Sequence, residues 1–145
     1  MKIRIIWVGR TKEAYLDAGI KKYLKLIGHT ARIEIIEIKE EKEGQRERML
    51  REEGQRILKK TASYALLDEK GTSYDSRGFA SFISGAAISD YVLGGAFGVS
   101  DDIKEKASVK LSLSPMTFTH EMSRLIFLEQ LYRAMTINSG RDYHH

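Results

Sequence analysis

From Lys2 to Val8 the chain is β-branched and apolar, and Gly9 closes the run, the pattern of a buried first strand. Helical spacing then takes over from Lys12 to Leu26. Ala14, Tyr15, Ala18, Tyr23, Leu24 and the following Ile27 share one face, and Gly28 stops the helix. Between Arg32 and Ile38, Ile33 and Ile35 alternate with Glu34 and Glu37, a second strand with a solvated end. From Lys39 to Lys60 the apolar positions thin to Met49, Leu50, Ile57 and Leu58. That spacing predicts a surface helix covering a sheet by a narrow stripe, laced by Glu47–Arg51 and Glu52–Arg56 pairs.

Tyr64 to Leu67 is a third strand, ending in Asp68-Glu-Lys-Gly71. A short helix from Asp75 to Ile83 ends at Ser84-Gly85, and Tyr91 to Leu93 makes a fourth strand before the paired Gly94-Gly95. Ser100-Asp-Asp-Ile opens a helix, with Ser100 or Asp101 as N-cap. Val109 to Leu113 is the fifth strand. Thr119 then caps a helix running to about Thr136, with Met122, Leu125, Ile126, Phe127, Leu131, Tyr132 and Met135 as its apolar side. Strands alternate with helices throughout, which predicts an α/β fold: residues 1–145 as a single domain, with a mostly parallel five- or six-stranded sheet and helices on both faces. Ligands of such folds sit beyond the carboxyl ends of strands. Three ends qualify here: Leu67-Asp68, Leu93-Gly94-Gly95 and Leu113-Ser114-Pro115.

Composition narrows the chemistry. Of 145 residues, 42% are apolar and 30% charged, enough to build a core and unlike a disordered chain. No cysteine is present, so disulfides, thiolate metal sites and Cys nucleophiles are excluded. The first residues are too short and too charged a run for a signal peptide, and no apolar stretch reaches membrane length. The expectation is a cytoplasmic protein with neither membrane nor metal partner. Net charge is +4, from 24 Lys and Arg against 20 acids, so a nucleic-acid surface requires spatial sorting of charge. Arg46, Arg48 and Arg51 offer an RNA-facing arm, but the near-neutral run around them reads more readily as a solvated helix face.

Gly94, Gly95 and Gly98 first suggest a phosphate cradle. Their spacing matches neither G-x-G-x-x-G nor G-x-x-x-x-G-K-S/T, and Asp101-Asp102 would repel an anion at the following helix N-terminus. A ligand without phosphates fits better. Adenine and ribose can be gripped by backbone groups of the glycine loop and of Leu113 to Phe118, because glycines let the backbone approach closely. A sulfonium such as S-adenosylmethionine tolerates nearby acids. A tight turn alone also accounts for the glycines.

Several segments together resemble the RlmH family of small bacterial SPOUT-class methyltransferases. They are Leu93-Gly-Gly-Ala-Phe-Gly98, Leu111-Ser-Leu-Ser-Pro-Met-Thr-Phe-Thr-His120, Arg124, Glu129-Gln-Leu-Tyr-Arg-Ala134 and Tyr143-His144. The likeness spans the whole chain, including Lys2-Ile-Arg-Ile-Ile-Trp-Val-Gly9, Arg51-Glu-Glu-Gly-Gln-Arg56 and Leu66-Leu-Asp-Glu-Lys-Gly71. The chain departs from the family's commoner residues at Leu93 and Thr119, and its Asp75–Tyr91 segment is shorter than usual. The resemblance implies an α/β fold with a C-terminal trefoil knot, and a homodimer with each active site at the dimer interface. It also implies methyl transfer from S-adenosylmethionine to N3 of a pseudouridine in 23S rRNA of the assembled ribosome. Carried over by motif, the cofactor contacts are Leu67, Gly94, Gly95, Leu113, Ser114, Pro115, Met116, Thr117 and Phe118.

Methylating such an N3 requires its proton to leave, so a positioned base or an anion-stabilising cation is needed. Without cysteine, nitrogen or ribose oxygen remains as the acceptor. His120, Arg124, Tyr143 and His144 are the candidate catalytic residues, with His144 and Arg124 expected to handle the base. Arg133 follows Glu129 by four residues and reads as an intrahelical pair. Two alternatives stand beside this reading: a methyltransferase of transfer RNA or another rRNA site, and a non-enzymatic ribosome-binding protein.

Overall fold

The computed structural model describes residues 1–141. Strands β1 (Lys2–Val8), β2 (Arg32–Ile38), β3 (Ala65–Ser73), β4 (Asp90–Leu93) and β5 (Val109–Ser112) form one sheet in the order β2-β1-β4-β3-β5. Every pairing is parallel, as the alternation of strands and helices requires. The helices are α1 (Ala14–Ile27), α2 (Arg46–Leu58), α3 (Ser76–Gly85), α4 (Asp101–Lys106) and α5 (His120–Asn138).

Side-chain alternation along β1 divides the interior. Ile3, Ile5 and Trp7 face a core built with Ile20 of α1, Phe79 of α3, and Phe127, Leu128 and Leu131 of α5. Ile6 and Val8 face the opposite core with Ile57 of α2, Ile103 of α4, Tyr64 and Val92. Helices therefore cover both faces, as expected. Buried Tyr64 donates its hydroxyl to the Ile103 carbonyl at 2.6 Å, which ties α4 to the start of β3. Among the described residues no helix is long and apolar enough to cross a membrane.

Three elements differ from expectation. Residues 39–45 are not helical: Gly44 adopts φ +115°, and the Glu53 carboxylate instead accepts from the Glu41 amide at 2.9 Å. Arg56 pairs with Glu41 rather than with Glu52, and Arg48 lies 3.8 Å from Glu52. Strand β3 continues past Leu67 to Ser73, because Leu67 and Thr72 both pair with Leu111 and residues 68–71 bulge between them. At Gly71 a Cβ would lie 2.6 Å from the Lys110 carbonyl carbon, so only glycine fits this close approach. Finally, Ser100 stands at the N-cap of α4, but its hydroxyl makes no cap bond. Thr119 does cap α5 as expected, accepting from the Met122 amide at 3.2 Å.

Candidate active site

The bulge of β3 and the carboxyl ends of β4 and β5 open onto a cleft of about 360 Å³. From the middle of β3, where it bulges, come Leu67, Asp68 and Glu69, and from the glycine loop Gly94, Gly95, Ala96 and Gly98. The loop after β5 adds Leu113, Ser114, Met116, Thr117 and Phe118. Helix α5 contributes His120 and Ser123, and α4 contributes Lys104. Eight of the nine residues expected at the cofactor thus share this wall; Pro115 is exposed and stands off it.

The glycine loop is both a tight turn and a cleft wall. The Gly98 amide donates to the Gly95 carbonyl at 3.0 Å, with Gly98 at φ +82°. A Cβ at Gly94 would fall 2.8 Å from the Gly98 carbonyl carbon. In the facing loop the hydroxyls build the wall. Thr117 donates to the Glu69 carboxylate at 2.6 Å, and the Ser114 hydroxyl accepts from the Met116 amide at 3.0 Å. The Ser112 hydroxyl lies 3.0 Å from the Glu69 and Ser114 carbonyls, stitching the loop to the bulge of β3. The hydroxyls of Ser112, Ser114 and Thr117 thus tie the loop after β5 to itself and to Glu69 of β3.

Of the four catalytic candidates, His120 lies on the cleft wall. Burial lowers its pKa, and the nearby Arg124 cation adds to this, so its imidazole stays neutral below the ordinary 6.5. Arg124 does not reach the cleft. Its fully buried guanidinium donates to the Val8 carbonyl at 2.7 Å and to the Thr11 hydroxyl at 2.9 Å, and sits 4.7 Å from the centre of the Trp7 ring. The Arg124 Nε has no hydrogen-bond partner among the described residues. Its helical neighbour Glu121 accepts from the amides of Lys12 and Glu13 at 2.8 and 3.0 Å, capping the start of α1. Arg133 pairs with Glu129 at 3.2 Å, as its spacing suggests. Tyr143 and His144 lie outside the described residues.

Sequence reasoning missed Glu69, Lys104 and Ser123 on the wall. Ser123 follows His120 by three residues, so helical spacing was a usable signal. Glu69 was hidden by the bulge, which turns an apparent turn into cleft wall. Among the described residues no group of three or more His, Cys, Asp or Glu is placed to hold a metal ion.

The family profile described as "Predicted SPOUT methyltransferase" matches residues 1–144. The chain is similar to a protein of Thermodesulfovibrio yellowstonii, 42% identical over 145 residues and covering 99% of each chain. It is equally similar to one of Geotalea daltonii, 42% identical with 100% of each chain covered, and 41% identical to one of Trichlorobacter lovleyi at the same coverage. Each of these relatives is named ribosomal RNA large subunit methyltransferase H. Matched along essentially its full length by that profile and by these relatives, the chain belongs to the RlmH family of SPOUT methyltransferases.

Proposed function

We propose that this protein transfers the methyl group of S-adenosylmethionine to N3 of a pseudouridine in 23S rRNA of the assembled ribosome. The observation that carries the reading is the glycine-edged cleft framed by the bulge of β3 and the loops that follow β4 and β5. Two of its properties suit an adenosyl sulfonium. Glycines bring backbone N–H and carbonyl groups close, with no room for a Cβ at Gly94. Asp68 and Glu69 on the wall, and Asp101 and Asp102 at the start of α4, disfavour phosphate but accept a cation. The relatives' names supply the class of substrate, large-subunit rRNA.

Leu67, Gly94, Gly95 and the Leu113–Phe118 loop would hold the donor, with Pro115 shaping that loop from outside the wall. When bound, S-adenosylmethionine supplies an electrophilic methyl group. His120, its pKa lowered by burial and by Arg124, is a group on the wall able to accept the N3 proton. Arg124 is a positioning residue: it fixes the first turn of α5, and with it His120, against the end of β1. Tyr143 and His144, which lie outside the described residues, are the further candidates for contact with the target base. The rate then gains chiefly from alignment of nitrogen with the methyl.

The same reading takes the chain as one domain with the family's C-terminal knot, working as a homodimer in the cytoplasm, where ribosomes are. Met122 and Ile126 support the dimer: both are half-buried on α5 and belong to neither core. Calorimetry with S-adenosylmethionine, followed by single-turnover methylation of ribosomes, tests the proposal. Binding, with slowed transfer in His120→Ala and His144→Ala, is the expected result. No binding at millimolar donor would favour a ribosome-binding module, and wild-type rates in both variants would sink the catalytic assignment.

A further inference from the structure

Phe97 is the side chain of the glycine loop that the cleft does not use. Its chain neighbours Ala96 and Gly98 line the cleft, yet the Phe97 ring is 55% exposed. The turn beneath it is rigid, closed by the Gly98–Gly95 hydrogen bond and the positive φ of Gly98. The ring belongs to neither core. What it does have is a cation. The Arg46 guanidinium, at the first residue of α2, lies 3.9 Å from the ring centre. Arg48 and Arg56 of the same helix pair with Glu52 and Glu41, whereas Arg46 makes no ion pair within 4.0 Å among the described residues.

From this we infer that Phe97 and Arg46 form a stacking platform for a single-stranded rRNA base flanking the nucleotide to be methylated. The inference rests on the function proposed above. An aromatic face backed by an arginine is the device with which proteins grip unpaired bases, since every base has a π-face and the cation meets the backbone charge. The platform stands one residue from the walls of the cleft, on the same turn, so a base stacked there fixes the register of the strand that enters. Of the three arginines that the α2 sequence offers as an RNA arm, the geometry selects Arg46. Met116, 75% exposed on the facing loop, gives the mouth its second apolar edge.

The test uses the full-length protein and large ribosomal subunits from cells lacking this methyltransferase. Phe97→Ala is expected to weaken sedimentation-measured binding of subunits about tenfold and to raise their KM by a similar factor. Its kcat at saturating subunits, and its calorimetric affinity for S-adenosylmethionine, should stay within about twofold of wild type. Phe97→Trp should retain tight binding, Phe97→Leu should not, and Arg46→Ala should weaken binding about threefold. Unchanged subunit binding in Phe97→Ala overturns the inference. So does a parallel loss of donor affinity, which would make the ring part of the cofactor site, and so does full binding by Phe97→Leu. Because binding is read without turnover, a wild-type protein that binds subunits through Phe97 but transfers no methyl would refute the proposed activity and leave the platform standing.

Discussion

Arg124 donates to the backbone carbonyl of Val8 at 2.7 Å, a contact that locks the first turns of α5 to the carboxyl end of β1. The second hydrogen bond, to Thr11, and the Trp7 ring complete an enclosure without a carboxylate in ion-pair contact among the described residues. Such a buried cation is costly to desolvate, and its hydrogen bonds offset that cost only while all are made. Arg124→Met keeps much of the volume but strands the Val8 carbonyl. It is expected to lower stability by about 2–4 kcal/mol. Urea unfolding measures this, and an unchanged midpoint would show that the anchor contributes nothing.

The close approaches at two glycines make separable demands. Gly94→Ala puts a methyl group 2.8 Å from the Gly98 backbone, so the turn must shift; affinity for S-adenosylmethionine should fall at least about tenfold. Gly71→Ala meets the Lys110 backbone at 2.6 Å, at the bulge that braces the other wall. It should cost about 1–3 kcal/mol of stability by the same urea assay. Donor affinity unaltered in Gly94→Ala would argue that the ligand lies elsewhere.

His120 sets a pH limb. Its pKa lies below 6.5, pulled down by burial and then by Arg124, so the proton-accepting form persists to lower pH than for a free imidazole. The single-turnover rate should be flat at neutral pH and fall only below pH 6.5. His120→Gln should slow transfer about 100-fold and abolish that limb. Retention of the limb in the variant would assign the base to another residue. The linkage has a matching sign: the unfolded chain takes up this proton first, so stability is present above 6.5 and is lost as pH falls through the lower folded value.

At the amino end of β4, the Arg4 guanidinium grips both Asp90 oxygens, at 2.9 and 2.7 Å. Burial pushes the Asp90 carboxyl up, but the Arg4 and Thr61 hydrogen bonds outweigh it and hold the group below its ordinary 3.8. Its contribution is therefore intact above 3.8 and lost as pH falls through the lower folded value. Asp90→Asn should cost about 1–2 kcal/mol at neutral pH and flatten that acid limb. An acid limb identical to wild type would contradict the pairing.

Strands and long helices were legible because burial imposes a period. The odd and even residues of β1 sort to opposite cores, and Thr119 marks the start of α5. Residues 39–45 were not legible, since a run of charges carries no period and the Glu53 carboxylate that accepts from the Glu41 amide lies in α2, across the loop. The strand ends that frame the cleft could be read from glycines and hydroxyls, but the reach of β3 past Leu67 could not. Asp68-Glu-Lys-Gly71 has turn composition, and only its pairing with β5 reveals the bulge. The burial of Arg124 was not legible from its type. Charge suggested a reactive group, whereas its spacing with Leu128, Leu131 and Met135 is that of the buried stripe.

The most direct test is nucleoside mass mapping of 23S rRNA after purified protein and S-adenosylmethionine act on ribosomes from cells lacking the gene. One pseudouridine should gain a single methyl group at N3, in assembled ribosomes, and only with the protein added. No methyl gain, or a methyl placed on ribose or on another RNA, would contradict the account.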